Sequence, residues 1–232
     1  MRIFQKGFNY SQDGPGNRLV YHLQGCNMRC RWCSNPEGMK ADGGWEISVE
    51  ELVDECLRSR RMFFDGGGVT FTGGEPTMQF AQLAEAMARC KAAGIHTALE
   101  TNGTHSELPA IWKHIDTLIM DFKHHDSDDL REYTGMGNET IKRNFETACR
   151  AGRPIHIRIP LINRFNTSPE GFAAYFDQWD TSRVTLELLA YHEYGREKWT
   201  EPYTITDGFV DDETVRAFVR CLRERGIRMV KT

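Results

Sequence analysis

Three cysteine residues near the start of the chain have the spacing of a metal-ligand set. Cys26, Cys30 and Cys33 form a C-x3-C-x2-C segment that directly follows a strand-like run at 18–24. Three thiolates on one short loop can hold a [4Fe–4S] cubane and leave its fourth iron open for a further ligand. A structural zinc ion is the alternative, because such an ion takes four protein ligands and His22 would be the fourth. The spacing favours the iron–sulfur interpretation.

A glycine-rich segment that ends in a carboxylate follows a second strand-like run. Residues 69–72 have a strand-like pattern and lead directly into Gly73, Gly74 and Glu75. Glycine allows a backbone to approach a ligand closely, and a carboxylate forms a charge-assisted hydrogen bond with an ammonium group. In isolation, the Gly-Gly-Glu-Pro sequence would be an ordinary turn.

Strand-like and helical segments alternate along the chain and must position these residues. Apolar runs rich in β-branched and aromatic residues lie at 18–24, 68–72, 95–100, 116–121, 155–161 and 184–189, with a short final strand at 227–230. Helical patterns lie at 48–64, 79–93, 107–115, 139–151, 168–180 and 211–225. Six βα units in series predict an α/β fold, a partial (β/α)6 barrel, because a closed eight-stranded barrel usually needs a longer chain. Active sites of such folds assemble at the carboxyl ends of the strands.

Length and composition predict one globular domain over 1–232. Hydrophobic residues make up 40% and charged residues 27%, and no apolar stretch is long enough to span a bilayer. A net charge of −4 and a pI near 6.1 argue against a nucleic-acid surface, which usually carries a basic excess. The amino-terminal residues lack the apolar core of a secretory signal, so we expect a cytoplasmic protein. Its seven cysteine residues should then be free thiols or metal ligands.

The cysteine spacing and the downstream Gly-Gly-Glu segment together resemble the radical S-adenosylmethionine (SAM) superfamily. In that family three cysteine residues hold one [4Fe–4S] cluster, whose open iron binds SAM. The resemblance therefore implies that Cys26, Cys30 and Cys33 hold such a cluster in this chain. It also implies that the glycine motif contacts the amino group of SAM.

The segment from Asp13 to Arg18 narrows the resemblance. It reads Asp-Gly-Pro-Gly-Asn-Arg and is similar to the DGPG-x-R signature of enzymes that activate glycyl radical enzymes. The resemblance covers nearly the whole chain and is closest to the pyruvate formate-lyase-activating family. Many other activases have a cysteine-rich, ferredoxin-like insert, whereas only Cys56 lies between Cys33 and Gly66. We therefore expect no auxiliary cluster.

The resemblance implies a radical reaction on a partner protein. The cluster would cleave SAM reductively, and a hydrogen atom would be abstracted from a backbone glycine of a glycyl radical enzyme. A flavodoxin or ferredoxin would supply the electron under anaerobic conditions. No catalytic residue is expected beyond the cluster and SAM.

The resemblance also assigns polar residues near the strand ends to ligands. The side chains implied to line the SAM cavity are Lys123, Arg158 and His192. Those implied to bind a monovalent cation beside the SAM carboxylate are Glu100, Thr101 and Asp121, whose oxygen atoms suit a hard cation. Asp13 is implied to meet the backbone of the partner's glycine loop.

Two alternatives remain at this point. One is a short radical SAM enzyme that acts on a small metabolite, which the 13–18 segment and the Tyr-His-Glu sequence at 191–193 disfavour. The other is a non-catalytic electron-transfer or zinc protein, which leaves the glycine motif unexplained. The glycine motif ends in Pro76, as in much of the superfamily, and the sequence at 34–37 resembles that of many activases of other glycyl radical enzymes, so the target enzyme is left open.

Overall fold

The computed structural model describes residues 1–230, and the chain passes several times between two structural units. Unit 1 contains residues 1–27, 35–101 and 107–119. Unit 2 contains residues 28–34, 102–106 and 120–230. Both units are discontinuous in sequence. The expectation of a single domain over 1–232 stays a prediction.

Unit 1 is built on five strands around an antiparallel hairpin. The strands are β1 (Arg2–Tyr10), β2 (Asn17–Leu23), β3 (Trp45–Glu46), β4 (Gly68–Gly73) and β5 (His96–Thr101). Their order is β3-β1-β2-β4-β5, in which β1 is antiparallel to both its neighbours and β2, β4 and β5 are parallel. Leu19 pairs with Val69, and Val69 with Thr97. The parallel register brings the carboxyl ends of β2 and β4 together.

The helices of unit 1 cover these strands. They are α1 (Val49–Arg58) and α2 (Phe80–Ala92), with short 3₁₀ helices at Pro36–Met39, Arg60–Met62, Pro76–Gln79 and Leu108–His114. α1 begins at a capping box, since Ser48 accepts from the Glu51 amide and the Glu51 side chain accepts from the Ser48 amide. Its buried face contains Leu52 and Cys56, as the apolar spacing predicts.

Unit 2 alternates helices with parallel strands. Strand β6 (Thr117–Asp121) begins in unit 1 and ends in unit 2. The remaining elements are α3 (Ser127–Thr134), α4 (Glu139–Arg150), β7 (Ile155–Leu161), α5 (Pro169–Phe176), β8 (Val184–Ala190), α6 (Asp212–Glu224) and β9 (Arg228–Met229), with a 3₁₀ helix at Arg196–Lys198. β7, β8 and β9 are parallel neighbours. Phe122 lies at the centre of the core, with its ring 5.1 Å from that of Tyr175 and 5.2 Å from that of Phe176.

The sequence predicted most of these elements but not all of them. The structure adds β1, β3 and α3, which the patterns did not indicate. The segment predicted as a helix at 107–115 is a 3₁₀ helix, and the helix predicted at 48–64 ends as an α-helix at Arg58. In residues 1–230, no helix combines the length and the apolarity that crossing a membrane requires.

Candidate functional site

The glycine motif at the end of β4 is joined to the backbone that enters the cysteine loop. The Gly74 amide donates to the Leu23 carbonyl (2.9 Å), and the Glu75 amide donates to the Gly25 carbonyl (2.7 Å). A Cβ on Gly74 would lie 2.3 Å from the Gly25 oxygen, a distance that real Cβ atoms do not show. Gly73 has a φ of +119°, which favours glycine. The motif therefore needs both glycine residues, one for conformation and one for space.

The Glu75 carboxylate is buried and held by three hydrogen bonds. Its exposed fraction is 1%, and Oε1 accepts from the Thr77 amide (3.0 Å) and the Thr77 hydroxyl (2.5 Å). The Thr101 hydroxyl also donates to Oε1 (2.7 Å). These contacts fix the carboxylate and bring together two residues that the sequence had assigned to different ligands. Thr77 was missed, although a carboxylate followed by Pro76 is the pattern of a helix start, and Glu75 does cap the 3₁₀ helix there.

The cysteine loop has no regular secondary structure between the end of β2 and Pro36. Cys26 belongs to unit 1, where its amide donates to the Met39 carbonyl (3.3 Å). Cys30 and Cys33 belong to unit 2, where the Cys33 amide donates to the Cys30 carbonyl (3.1 Å). All three thiols are free, and Cys30 is buried while the other two are half-buried.

Reduced thiols on an irregular loop fit the donor set of an iron–sulfur cluster. Within residues 1–230, no group of three or more His, Cys, Asp or Glu side chains is placed to hold one metal ion. Ligands of a single ion converge on one point, whereas each thiolate of a [4Fe–4S] cluster binds a different iron. The assignment of Cys26, Cys30 and Cys33 to one cluster stays a prediction.

Arg158 lies on β7 in a polar group of unit 2. Its exposed fraction is 8%, and its Nε donates to Glu187 Oε2 (2.9 Å) from the directly paired position on β8. His156 Nε2 lies 3.2 Å from the same oxygen, and Thr185 Oγ1 lies 2.9 Å from His156 Nδ1. Burial alone would raise the pKa of Glu187, but its contacts with His156 and Arg158 together outweigh burial and hold that pKa below its ordinary value.

The other predicted SAM-lining residues have different surroundings in unit 2. Lys123 is buried and forms an ion pair with Asp121, two residues before it at the end of β6. His192 follows β8, and its ring stacks on Tyr194 with the centroids 4.3 Å apart. Burial lowers the pKa of His192, so its imidazole is neutral at physiological pH.

Each residue predicted for the monovalent cation has a hydrogen-bonding or ionic partner. Glu100 accepts from the Thr72 hydroxyl (3.3 Å), Thr101 donates to Glu75 (2.7 Å), and Asp121 pairs with Lys123. Oxygen atoms of these types suit a hard cation. The cation site stays a prediction.

The fully buried Arg18 holds the loop that contains Asp13. Arg18 donates to Thr70 Oγ1 (2.5 Å), the Val69 carbonyl (2.6 Å) and the Pro15 carbonyl (3.0 Å). The Thr70 hydroxyl in turn donates to the Asp13 carbonyl (2.7 Å). Burial lowers the pKa of Arg18 to about 10. The Asp13 carboxylate accepts from the Asn9 side chain (2.5 Å).

Comparison with known protein families places the chain in one of them. The model of the radical SAM superfamily matches residues 20–175. Pyruvate formate-lyase-activating enzyme of Clostridium pasteurianum is 37% identical over 196 residues, which cover 81% of this chain and 80% of that protein. The enzyme of the same name from Staphylococcus epidermidis is 32% identical over 231 residues, which cover 92% of each chain. The chain therefore belongs to the radical SAM superfamily and, within it, to the family of pyruvate formate-lyase-activating enzymes.

Solved structures show the same fold. A domain of pyruvate formate-lyase-activating enzyme from Bacteroides vulgatus matches with a TM-score of 0.61 and 26% identity, covering 71% of this chain and 98% of that one. SuiB of Streptococcus suis, bound to its precursor peptide SuiA, matches with a TM-score of 0.70 and 16% identity, covering 90% of this chain and 47% of that one.

These findings confirm the predicted fold class, an α/β fold of the radical SAM type, and the prediction that the chain is an enzyme. Membership of the family implies one [4Fe–4S] cluster and SAM. It sets aside the interpretation as a non-catalytic zinc or electron-transfer protein. The roles of individual residues stay predictions.

Proposed function

We propose that this enzyme activates a glycyl radical enzyme of the pyruvate formate-lyase type by abstracting a hydrogen atom from a backbone glycine. The observation that carries the proposal is the 32–37% identity to pyruvate formate-lyase-activating enzymes over 80–92% of their length. The Asp13 loop, which resembles the activase signature, supports it. A small-metabolite substrate has no comparable support.

The three thiols of Cys26, Cys30 and Cys33 would hold the cluster. When bound, the reduced cluster supplies the electron for cleavage of SAM, and SAM supplies the group that takes up the glycine hydrogen. The electron donor would be a flavodoxin or a ferredoxin. The protein itself has to hold, orient and shield these groups, because the cofactors perform the chemistry.

Glu75 and its two preceding glycine residues would receive the amino group of SAM. A carboxylate held by three hydrogen bonds does not have to reorganise when it meets an ammonium group. The absence of a Cβ at Gly74 lets this segment pack directly against the Gly25 and Gly38 carbonyls, which holds the motif beside the entry to the cysteine loop. The fixed geometry of Glu75 supports this role.

Lys123, Arg158 and His192 would meet other parts of SAM. Arg158 is oriented by Glu187, so its guanidinium has a fixed direction. The neutral His192 ring offers both a donor and an acceptor. These properties support a binding role.

Two further assignments complete the proposal. Glu100, Thr101 and Asp121 would place oxygen ligands around a monovalent cation beside SAM. Asp13 would accept a hydrogen bond from the partner's backbone, and the buried Arg18 beneath it would keep its loop in place. The expected cytoplasmic location stays a prediction.

The proposal is tested by anaerobic reconstitution with iron and sulfide, followed by dithionite, SAM and pyruvate formate-lyase. We expect 5′-deoxyadenosine from SAM and a glycyl doublet in the EPR spectrum of the partner. Cys30→Ala should abolish the cluster and both products. Cys149→Ala is the matched control, because Cys149 is a buried thiol on α4 outside the predicted ligand set.

The outcomes distinguish cleavage of SAM by the cluster from radical formation on a partner protein. Formation of 5′-deoxyadenosine with no protein radical would redirect the search to a small-molecule substrate. A Cys30→Ala variant that keeps the cluster would remove that residue from the ligand set. Absence of both cluster and SAM cleavage in the unmodified enzyme would refute the proposal as a whole.

A further inference from the structure

A tryptophan far along the chain is hydrogen-bonded to the residue that is predicted as the third cluster ligand. The indole Nε1 of Trp199 donates to the backbone carbonyl of Cys33 at 3.0 Å, across a sequence separation of 166 residues. Both residues belong to unit 2. Trp199 is half-buried, and its ring lies edge-on to Tyr203 with the centroids 5.5 Å apart. The Trp199 side chain is thus held against the cysteine loop, which has no regular secondary structure.

A second contact holds the next residue of the same loop. Gly195 is buried, and a Cβ added to it would lie 2.4 Å from the Ser34 carbonyl oxygen and 2.5 Å from the Ser34 Cα. Its φ of −92° is available to any residue, so space and not conformation requires glycine here. Gly195 and Trp199 lie at the two ends of the 3₁₀ helix at Arg196–Lys198, and both contact residues 33–34.

The segment that makes these contacts is itself braced within unit 2. The hydroxyls of Tyr191 and Tyr203 are hydrogen-bonded (2.8 Å), and Tyr191 also donates to Glu193 Oε1 (3.1 Å). Arg196 forms an ion pair with Glu193 (2.7 Å) and lies over the ring of Tyr203 at 5.6 Å. These bonds connect both ends of residues 191–203. A braced segment can hold the loop in one position, whereas a mobile one could not.

We infer that Trp199 is a positioning residue for Cys33, with Gly195 as the spacer that lets its segment approach the loop. The inference rests on the proposed role of Cys33 as a cluster ligand. The indole bond fixes the peptide that follows Cys33 and thereby limits the directions in which its thiolate can point. Groups outside the ligand set commonly orient the ligands of a metal centre in this way.

The two chemical features of Trp199 can be separated by substitution. Trp199→Phe keeps an aromatic ring against Tyr203 but removes the N–H donor. Trp179→Phe is the matched control in the same unit, because within residues 1–230 the Trp179 indole N–H has no hydrogen-bond partner. Arg150 lies 4.9 Å from the Trp179 ring, a contact that phenylalanine can retain.

The experiment measures how firmly the cluster is held. Each reconstituted variant is mixed anaerobically with an iron chelator, and iron release is followed by absorbance. The EPR spectrum of the dithionite-reduced cluster is recorded with and without SAM, and thermal unfolding of the cluster-free proteins is measured in parallel. We expect Trp199→Phe to release iron about 2- to 12-fold faster than the unmodified enzyme, as loss of one neutral hydrogen bond predicts, and to change the EPR line shape. Gly195→Ala should have the same effects, while Trp179→Phe should have neither.

The possible results are distinct. If Trp199→Phe lowers only the thermal stability and leaves iron release and EPR spectrum unchanged, Trp199 has a general packing role and the inference is wrong. An equal acceleration by Trp179→Phe would also overturn it. If the unmodified enzyme assembles no cluster, the proposed function itself fails.

Discussion

Replacing Gly74 by alanine should force apart two backbone segments that meet at the end of the sheet in unit 1. The new Cβ would lie 2.3 Å from the Gly25 oxygen and 2.5 Å from the Gly38 oxygen, and both contacts would have to lengthen beyond 3.0 Å. Neither oxygen can move independently, since the Gly25 amide donates to Gly38 (2.9 Å) and the Gly25 carbonyl accepts from Glu75 (2.7 Å). The strain therefore reaches the glycine motif and the entry to the cysteine loop together.

The expected loss in the free energy of unfolding has two contributions. Overpacking against backbone typically costs about 1–3 kcal/mol. Weakening of the two hydrogen bonds donated by Gly74 and Glu75 would add about 0.5–1.5 kcal/mol for each bond. We expect the free energy of unfolding to fall by about 2–6 kcal/mol, which corresponds to roughly 4–24 °C in Tm for a chain of this size.

The assay compares Gly74→Ala with Gly7→Ala by urea and thermal unfolding of the cluster-free proteins. Gly7 lies on β1, no atom lies within 4 Å of its added Cβ, and its φ is not positive. The same chemical change should therefore alter stability by less than about 0.5 kcal/mol there. Equal stabilities of the two variants would refute the reasoning, because they would show that the segments around Gly25 and Gly38 yield without cost.

Three further predictions concern side chains around the proposed site. Thr101→Val should lower the free energy of unfolding by about 1.5–3 kcal/mol, the range for a hydrogen bond to a charged group. Thr101→Ser keeps the hydroxyl and should lose much less. Equal losses in the two variants would exclude the hydroxyl as the cause. Because the pKa of Glu187 is lowered in the fold, its ionised form stabilises the protein above the unfolded-state pKa of about 4.3, and this contribution is lost as the pH falls through the lower folded-state value. Glu187→Gln should flatten the fall in unfolding free energy across that acidic window, and an unchanged slope would contradict the shift. Asp13→Ala should raise the pyruvate formate-lyase concentration for half-maximal radical formation by about 10-fold or more, and an unaltered concentration dependence would place Asp13 outside the partner site.

The parallel strands and the larger helices could be predicted because their apolar spacing is strong. β4 and β7 are almost wholly buried, and their runs of β-branched and apolar residues are easy to read. β1 was missed because most of its residues are exposed and it includes Gly7, so its sequence lacks the alternation of a half-buried strand. α3 was missed because it has only eight residues and two buried positions, too few for a periodic pattern.

The candidate site divides in a similar way. The cysteine spacing and the glycine motif are local patterns. They predicted membership of the radical SAM superfamily, which the family comparison confirms. Contacts between distant segments could not be read from the sequence. Glu187 meets Arg158 only because β7 and β8 pair in one register, and Trp199 meets Cys33 across 166 residues. The sequence thus predicts which side chains bind the cluster and SAM, whereas their contacts with distant residues are seen only in the tertiary structure.

The proposal that this enzyme abstracts a hydrogen atom from a backbone glycine is tested most directly by following that atom with a deuterium label. Pyruvate formate-lyase is produced with deuterium at the Cα of its glycine residues and is then activated by this enzyme with unlabelled SAM and dithionite. The 5′-deoxyadenosine is isolated and analysed by mass spectrometry, and the glycyl radical is quantified by EPR in the same sample. Abstraction from a backbone glycine predicts one deuterium in 5′-deoxyadenosine for each radical formed. Unlabelled 5′-deoxyadenosine, with no glycyl radical on the partner, would contradict it.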